Sequence, residues 1–400
     1  MRGRLARNTL LASFWQAVRV ACQAAWIIVI AHALGASGLG ALSGTLGLAV
    51  TLGGLSGLGG AMLLLKNVAR RPESFGRYWR QSLVLSACSG SLLVVIFLIF
   101  SPVQYGWVLL LAIACADLIC APFIVLCSHA FQAHERMGWH SALPAINAFT
   151  RLMAAMAFWL LSAEHGIGGY ALLHALASLL GAGLAYLSVV LLLKPRRHPF
   201  VWSIGEAREG TAFSALWVTG NATTELDKAA ALYVGGGELA GIYAAAYRFA
   251  SVMALPIVSL IGAIQPRLFR NDSARGRLLW HSLVAIIVWS AVGGLALQWL
   301  AQFIPMLLGE QFAQAAQLAR WLALWMPLYA LRMLGTSILT SQGRLAMRIS
   351  IECTGLAAMV ALAAWSIPQW GAIGAVAMAL GTEALLATLA WAAVVWVQRR

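Results

Sequence analysis

Residues 211–237 read TAFSALWVTGNATTELDKAAALYVGGG, and residues 238–270 read ELAGIYAAAYRFASVMALPIVSLIGAIQPRLFR. These stretches predict two apolar helices, at about 210–234 and 238–268, joined by a tight turn at the glycines of 235–237. Each predicted helix exceeds the ~20 residues that cross a bilayer. The sequence therefore predicts a hairpin of two membrane-spanning helices.

Charged residues lie deep inside this hairpin. The first helix carries Glu225, Asp227 and Lys228, and the second carries Arg248. One face of the first helix is polar, because its members recur every three or four residues. These members are Ser214, Trp217, Asn221, Glu225 and Lys228. A charge at bilayer depth costs about 2.5–3.5 kcal/mol, so it usually faces a bundle interior or a watery cavity. Two interpretations stay open: a cavity for an anionic substrate, or ion pairs that fasten the two helices.

The composition of the whole chain is that of a membrane protein. Of its 400 residues, 61% are hydrophobic and 10% are charged, and the mean hydropathy is +0.82. This composition excludes a water-soluble domain. The net charge of +14 does not indicate nucleic acid as a partner, because most of the basic residues lie in the connections between apolar segments. The six cysteines lie in apolar segments without metal-site spacing, so we expect buried thiols and no metal or cofactor.

The apolar segments predict twelve transmembrane helices with short connections. We place them at about 8–34, 38–65, 81–101, 106–130, 142–163, 167–193, 210–234, 238–268, 278–304, 312–341, 348–367 and 371–397. Lysine and arginine occupy every second connection, whereas the opposite connections carry only Glu164, Glu238 and Glu310. By the positive-inside rule, both termini are cytoplasmic.

The predicted fold is an all-α integral membrane protein with two six-helix lobes. The polar connection around Pro195 and Pro199 separates an N-terminal lobe, 1–194, from a C-terminal lobe, 210–400, with 195–209 as a cytoplasmic linker. The glycine-rich segments 34–40 and 235–241 occupy equivalent places in the two lobes, which indicates a weak internal repeat. Because six spans is an even number, the repeat predicts a parallel pseudo-two-fold around a central cavity.

Several short motifs resemble a known family. They are Leu226-Asp227-Lys228, then Gly241-Ile242-Tyr243-Ala244-Ala245-Ala246-Tyr247-Arg248 with Pro256 following, then Leu308-Gly309-Glu310-Gln311-Phe312, and the early segment Leu34-Gly35 to Gly40. In order and spacing these resemble the polysaccharide-transporter branch of the multidrug/oligosaccharidyl-lipid/polysaccharide exporter superfamily, which includes the Wzx-type flippases of lipid-linked oligosaccharides. The resemblance implies a bacterial inner-membrane protein with no catalytic residues.

The resemblance also implies where the substrate binds. Relatives place cavity arginines on the first and eighth helices to hold the lipid pyrophosphate, and Arg19 and Arg248 match these positions. Arginine suits this role, because its planar fork binds phosphate oxygens bidentately and stays charged. The alternative is structural: Arg19 could instead pair with Glu225 or Asp227.

Further polar residues within the spans are candidates for the same cavity. Besides Arg19 and Arg248, the candidates for substrate binding are Lys228, Gln23, Asn221, Arg151 and Arg332. The candidates for ion coupling are Asp227, Glu225, Asp117 and Glu383. Asp227 could equally be the counter-charge of Lys228, and Asp117 and Glu383 are expected to be lone acids in the middle of their spans.

The sequence favours a flippase that moves undecaprenyl-pyrophosphate-linked oligosaccharide across the inner membrane by alternating access. Its cargo would be a repeat unit of O-antigen lipopolysaccharide, capsule or exopolysaccharide. No GxxxxGK[ST] segment occurs, so we expect an ion gradient or membrane potential to supply the energy. Expected partners are the lipid-linked substrate, membrane lipids and a polysaccharide polymerase. The alternatives are an ion-coupled drug or cation antiporter and, less favoured, a membrane oligosaccharide polymerase or ligase.

Overall fold

A computed structural model describes residues 2–161, 166–268 and 275–399 of the chain. Glu164, expected in an outer connection, lies outside the described residues. Within them, every regular element is a helix. The helices up to the middle of the chain are α1 (Arg2–Gly53), α2 (Gly60–Arg70), α3 (Phe75–Phe100), α4 (Trp107–Ile113), α5 (Ala121–Ala133), α6 (Met137–Leu161) and α7 (Ile167–Leu193). A π-helical segment, Ala114–Cys120, joins α4 to α5.

The remaining helices follow a non-helical connection that ends at Ser203. They are α8 (Ile204–Met253), α9 (Leu255–Leu268), α10 (Arg275–Leu300), α11 (Ile304–Leu308), α12 (Ala313–Leu322), α13 (Trp325–Ser341), α14 (Leu345–Trp370) and α15 (Ala372–Gln398). The chain bends by 44° between α8 and α9 and by 49° between α12 and α13. The helices predicted at 238–268 and 312–341 are therefore each bent rather than straight.

Two of the helices are broken at a glycine. The backbone is non-helical at Gly35 in α1 (φ 68°, ψ −174°) and at Gly236 in α8 (φ 79°, ψ 177°). Glycine populates this left-handed region readily, whereas a side chain opposes it. The break in α8 falls within the predicted turn at 235–237, and the break in α1 lies in the equivalent glycine-rich segment.

The predicted helix 38–65 is wrong in its middle, because residues 54–59 are not α-helical. Gly57, Leu58 and Gly59 all have positive φ angles (75°, 44° and 72°). A Cβ atom on Gly59 would lie 2.1 Å from the carbonyl oxygen of Gly210. The interruption thus allows the start of α8 to pack directly against the backbone here.

Helix α8 begins six residues earlier than the predicted start at 210. Its start is a capping box: the backbone N–H of Glu206 donates to Ser203 Oγ (3.2 Å), and the N–H of Ser203 donates to Glu206 Oε2 (3.3 Å). Glu206 also accepts hydrogen bonds from Arg77 (2.7 Å) and Tyr78 (3.0 Å) of α3. The end of the predicted linker is therefore helical and is held against α3.

Many of the helices are long and apolar enough to cross a membrane. In the described part of the chain, eight helices meet this criterion, and the number is ten if each of the two bent pairs is one span. The chain is therefore a multi-pass, all-helical membrane protein. The exact count of twelve spans stays a prediction.

The helices pack into two compact units. The first unit comprises Met1–Leu34 and Thr45–Val218, and the second comprises Gly35–Gly44 and Thr219–Arg400. Each unit has an apolar core of its own: Phe131 and Val189 are buried in the first, and Leu334 and Leu386 are buried in the second. The predicted lobe boundaries at 194 and 210 stay a prediction.

Within the second unit, two glycine pairs bring helix backbones into direct contact. Gly40 and Gly44 of α1, and Gly237 and Gly241 of α8, each have the spacing of a GxxxG motif. A Cβ atom on Gly40 would lie 1.8 Å from the carbonyl oxygen of Gly237, and one on Gly241 would lie 1.9 Å from that of Ala36. The two similar glycine-rich segments therefore pack closely against each other.

Candidate functional site

Asp117 lies on the π-helical segment and is buried in the first unit. Its Oδ1 accepts a hydrogen bond from Arg151 Nη2 of α6 (2.9 Å), and its Oδ2 lies 3.2 Å from His174 Nε2 of α7. The expectation of a lone acid is therefore wrong, because the charge of Asp117 is compensated by an ion pair with Arg151 of the neighbouring helix α6. π-helical turns are rare and often lie at functional sites.

Arg151 is held by more than its partner carboxylate. Its Nε donates to Ser178 Oγ (3.0 Å), and its Nη2 also lies 3.4 Å from the carbonyl oxygen of Ala116. Ser178 in turn donates to the carbonyl oxygen of His174 (2.8 Å). Arg151 is half-buried, so this set of bonds fixes the guanidinium beside Asp117. Its role in binding substrate stays a prediction.

Two residues of this cluster were missed in the sequence. His174 is fully buried, and its Nδ1 lies 3.2 Å from the hydroxyl of Tyr170. The Tyr170 hydroxyl also accepts a hydrogen bond from the indole N–H of Trp26 in α1 (2.5 Å). The spacing of Tyr170, His174 and Ser178, four residues apart on one helical face, was the signal that could have found them.

In the second unit, Asp227 and Lys228 form a local cluster with Tyr243. Asp227 is buried and accepts a hydrogen bond from Tyr243 Oη (2.6 Å) and two from Lys228, through its backbone N–H (2.8 Å) and its Nζ (3.2 Å). Lys228 Nζ also donates to the carbonyl oxygen of Thr224 and lies 3.6 Å from Glu225 Oε2. The charges predicted to line a cavity are therefore also paired with one another.

Several other candidates are only partly buried. Arg248 lies on α8 beyond the break at Gly236, within electrostatic range of Glu225 and Lys228. Lys228 itself sits over the ring of Tyr247, with 4.5 Å between Nζ and the ring centroid. Further half-buried candidates are Arg19, Gln23 and Asn221. The structure therefore brings Glu225, Asp227, Lys228 and Arg248 together in the second unit.

Arg332 is the centre of a second buried network in this unit. Its guanidinium is 0% exposed and binds two carboxylates, each through two nitrogen–oxygen contacts. Nε and Nη2 bond Glu383 (2.7 and 3.2 Å), and Nη1 bonds both oxygens of Glu352 (3.2 and 3.1 Å). Glu383 is therefore not a lone acid, and Glu352, which was not a candidate, is part of the cluster.

Surrounding groups complete the network of Arg332. Its guanidinium carbon lies 5.2 Å from the ring centroid of Tyr329, one helical turn away. Arg348, which donates to Thr340 Oγ1 (2.9 Å), lies within electrostatic range of Glu352. One arginine between two carboxylates leaves one negative charge, and Arg348 offsets it from the side of α14. The cluster thus ties α13, α14 and α15 together.

The structure divides the predicted site residues between the two units. Arg19, Gln23, Asp117 and Arg151 belong to the first unit, and Asn221, Glu225, Asp227, Lys228, Arg248, Arg332 and Glu383 belong to the second. Among the described residues, no group of three or more His, Cys, Asp or Glu side chains is arranged to hold a metal ion. The cationic side chains named above can bind anions, and the acids beside them can exchange protons or cations.

Solved structures show where this fold occurs. An inward-facing multidrug resistance MATE family transporter of the MOP superfamily is 14% identical with a TM-score of 0.70, over 99% of this chain and 97% of its own. An outward-facing structure of such a transporter is 15% identical with a TM-score of 0.62, over 99% and 95%. A MOP superfamily transporter from Pyrococcus furiosus, described as having a binding pocket of reversed polarity, is 14% identical with a TM-score of 0.63, over 99% and 95%. At these identities the likeness shows the fold alone.

The family is shown by the sequence itself. No curated protein matches the chain significantly. The model of one family, described as polysaccharide biosynthesis protein, matches residues 5–272, which is about two thirds of the chain. This match includes the Leu226-Asp227-Lys228 and Gly241–Arg248 motifs and confirms the resemblance to the polysaccharide-transporter branch. The chain therefore belongs to the polysaccharide biosynthesis protein family.

Proposed function

We propose that this protein is a flippase for undecaprenyl-pyrophosphate-linked oligosaccharide in the bacterial inner membrane. The family match over residues 5–272 carries the proposal, because the family is described by polysaccharide biosynthesis. The fold of the chain is that of solved transporters. Repeat units of O-antigen lipopolysaccharide, capsule or exopolysaccharide are the proposed cargo. The pyrophosphate would be the constant part of the substrate, and the glycan the variable part.

Arg19 and Arg248 are the proposed ligands of the pyrophosphate. Both side chains are half-buried on long apolar helices, where low dielectric strengthens a charge-assisted bond to phosphate. Gln23, one turn from Arg19, and Asn221, one turn before Glu225, would donate neutral hydrogen bonds to the headgroup. Lys228 would add charge through its position beside Arg248.

Arg151 and Arg332 have a more limited part in this proposal. Asp117 compensates Arg151, and Glu352 and Glu383 together over-compensate the single charge of Arg332. Both arginines would therefore hold the helices that present the other ligands. Asp117, Glu225, Asp227 and Glu383 remain the proposed residues for coupling to an ion gradient.

The proposed topology has twelve spans and cytoplasmic termini. If the halves of α1 and α8 on either side of Gly35 and Gly236 are counted separately, the ten apolar spans of the described residues become twelve. The even number agrees with the basic residues that occupy alternate connections. We propose that transport proceeds by alternating access.

An ion-coupled drug or cation antiporter is the second candidate function. Several similar structures are multidrug transporters, and the buried acids Asp117, Asp227, Glu352 and Glu383 are the residue type that such chemistry uses. This alternative predicts efflux of a lipophilic cation such as ethidium under a proton or sodium gradient. The family match favours the flippase.

Transport in proteoliposomes tests the proposal. We expect the wild type to flip a fluorescent polyprenyl-pyrophosphate oligosaccharide, and Arg19→Ala and Arg248→Ala each to bind it roughly ten- to a hundredfold more weakly. This follows from the ~1.5–3 kcal/mol of a hydrogen bond to a charged group. Initial rates against substrate concentration, measured by quenching of outer-leaflet label, check the expectation.

Arg80→Ala is the matched control, because Arg80 is an exposed arginine near the start of α3. Its rate should equal that of the wild type. Unimpaired Arg19 and Arg248 variants would remove these residues from the site without removing the function. Absence of flipping by the wild type with several glycans, together with gradient-driven ethidium efflux, would establish the antiporter instead.

A further inference from the structure

The first unit contains a continuous series of hydrogen bonds from α1 to α6, and its two central bonds are buried. It runs from Trp26 in α1 through Tyr170 and His174 in α7 to Asp117 on the π-helical segment, and Arg151 in α6 closes it. The successive distances are 2.5, 3.2, 3.2 and 2.9 Å. The side chains of His174 and Asp117 are only 1% and 3% exposed, so the centre of the series is shielded from water.

The Trp26 indole only donates and the ionised Asp117 carboxylate only accepts, so together they fix the position of each hydrogen between them. Asp117, ionised beside Arg151, only accepts, so His174 Nε2 must carry the hydrogen that points to it. Neutral His174 then presents a lone pair at Nδ1, which accepts the Tyr170 O–H. An indole N–H only donates, so Tyr170 Oη accepts from Trp26. The direction of donation is therefore Trp26 to Tyr170 to His174 to Asp117.

In this series of hydrogen bonds, Nδ1 of His174 is then the atom that can take up one more proton while the Asp117–Arg151 ion pair stays intact. A proton bound there turns Nδ1 from an acceptor into a donor. Tyr170 then loses the acceptor of its O–H, and its oxygen faces two N–H donors, one from His174 and one from Trp26. The tyrosine hydroxyl has to turn, which weakens its bond to Trp26 and so the attachment of α1 to α7.

Groups from three other elements and from its own helix face the buried imidazole. The groups that face it are Asp117 from the π-helical segment, Arg151 from α6, Trp26 from α1 and Tyr170 from its own helix. Asp117 favours the imidazolium, whereas Arg151 opposes it, so a bound proton leaves the cluster with one net positive charge. A proton on Nδ1 places the Asp117 carboxylate between two cations, the imidazolium and the Arg151 guanidinium.

We propose that Nδ1 of His174 is a proton-binding site and that the Tyr170–Trp26 hydrogen bond transmits its occupancy to α1. The site stands on geometry within the first unit and does not depend on which substrate is carried. Under the proposed function, it is where a proton gradient acts on the helix that bears Arg19. Asp117 then takes part in coupling as the fixed counter-ion, which keeps its charge throughout, while His174 exchanges the proton.

Nitrogen NMR of the full-length protein in lipid nanodiscs, labelled with ¹⁵N at histidine and at the tryptophan indole, tests the site. His174→Gln and Trp26→Phe assign the two signals. We expect neutral His174 to carry its proton on Nε2 at alkaline pH and to gain one on Nδ1 as the pH falls. The Trp26 indole signal should shift with the same midpoint.

Two variants separate the proton site from the relay. In Tyr170→Phe, His174 should still titrate while Trp26 no longer follows it. His32→Gln, which removes an exposed histidine of α1 that bonds the carbonyl oxygen of Ile28, should leave both titrations unchanged. If His174→Gln does not fold, replacing the other seven histidines by glutamine leaves one signal to follow.

The proposal is overturned if His174 stays neutral over the whole pH range in which the protein is folded, or if its neutral form carries the proton on Nδ1. It is also overturned if Trp26 follows the titration undiminished in Tyr170→Phe, because the relay would then lie elsewhere. None of these results depends on transport, so the proposed flippase activity can fail or succeed independently.

Discussion

Replacement of Arg332 by methionine is expected to destabilise the protein by about 3–5 kcal/mol, the usual cost of removing one partner from a buried ion pair. The side chain is 0% exposed, and its loss leaves the two buried carboxylates of Glu352 and Glu383 without their direct ion-pair partner. Since proteins are stable by only about 5–15 kcal/mol, such a loss is a large fraction of the total. Thermal unfolding in detergent, followed by size-exclusion chromatography, checks the expectation.

A compensated variant distinguishes lost charge balance from lost packing. Arg332→Met combined with Glu352→Met and Glu383→Met should recover most of the stability, because hydrophobic residues of similar volume often replace a buried ion network without loss. Arg320→Met, at an exposed arginine of α12, should behave like the wild type. If the single Arg332 variant melts at the wild-type temperature, the triad does not hold the three helices together.

Gly241→Ala is the second change for which we expect a large effect. An added Cβ atom would lie 1.9 Å from the carbonyl oxygen of Ala36 and 3.0 Å from the backbone nitrogen of Gly40. Both obstacles are backbone atoms, so only separation of α1 from α8 makes room. The cost should therefore exceed the ~1–3 kcal/mol of an ordinary oversized core side chain.

Gly262→Ala is the matched control for this variant. Gly262 lies in α9 with no atom within 4 Å of an added Cβ, so alanine there should be neutral or stabilise the helix by up to about 1 kcal/mol. The yield of monodisperse protein and its unfolding temperature should fall for Gly241→Ala and not for Gly262→Ala. Equal behaviour of the two would mean that the close approach of α1 and α8 is dispensable.

Much of the architecture could be predicted from composition and periodicity. Long apolar segments require helices in a bilayer, and a run of three glycines before a charged residue predicted the break now found at Gly236. The interruption at 54–59 could not be predicted in the same way. Glycine is compatible both with close helix packing and with positive φ, and the sequence alone does not decide between them.

Local signals were also overlooked. The spacing of Ser203 and Glu206 is that of a capping box and marks the true start of α8, but the prolines at 195 and 199 led to an interpretation as linker. The π-helical segment that carries Asp117 has no known sequence signature.

The candidate site was predicted as a set of residues but not as a set of partners. Charges inside apolar spans were conspicuous, so Arg151, Asp117, Arg332 and Glu383 could all be identified. Their pairing could not, because ion pairs between helices join positions 34 and 51 residues apart, and helical periodicity relates only residues of one helix. His174 was missed for a related reason: an uncharged imidazole among alanines and leucines does not stand out by composition.

The division of the chain into units also has a consequence for the order of its synthesis. Residues 35–44 belong to the second unit, yet the ribosome makes them before almost all of the first. Their packing partner Gly241 is translated roughly 200 residues after Gly40, which takes about 10–40 s at 5–20 residues per second. For that interval the glycine face of α1 has no native neighbour, so during insertion it must be shielded by lipid or by the insertion machinery. Biogenesis of this protein is therefore expected to depend on how long residues 35–44 of α1 stay shielded before Gly241 is made.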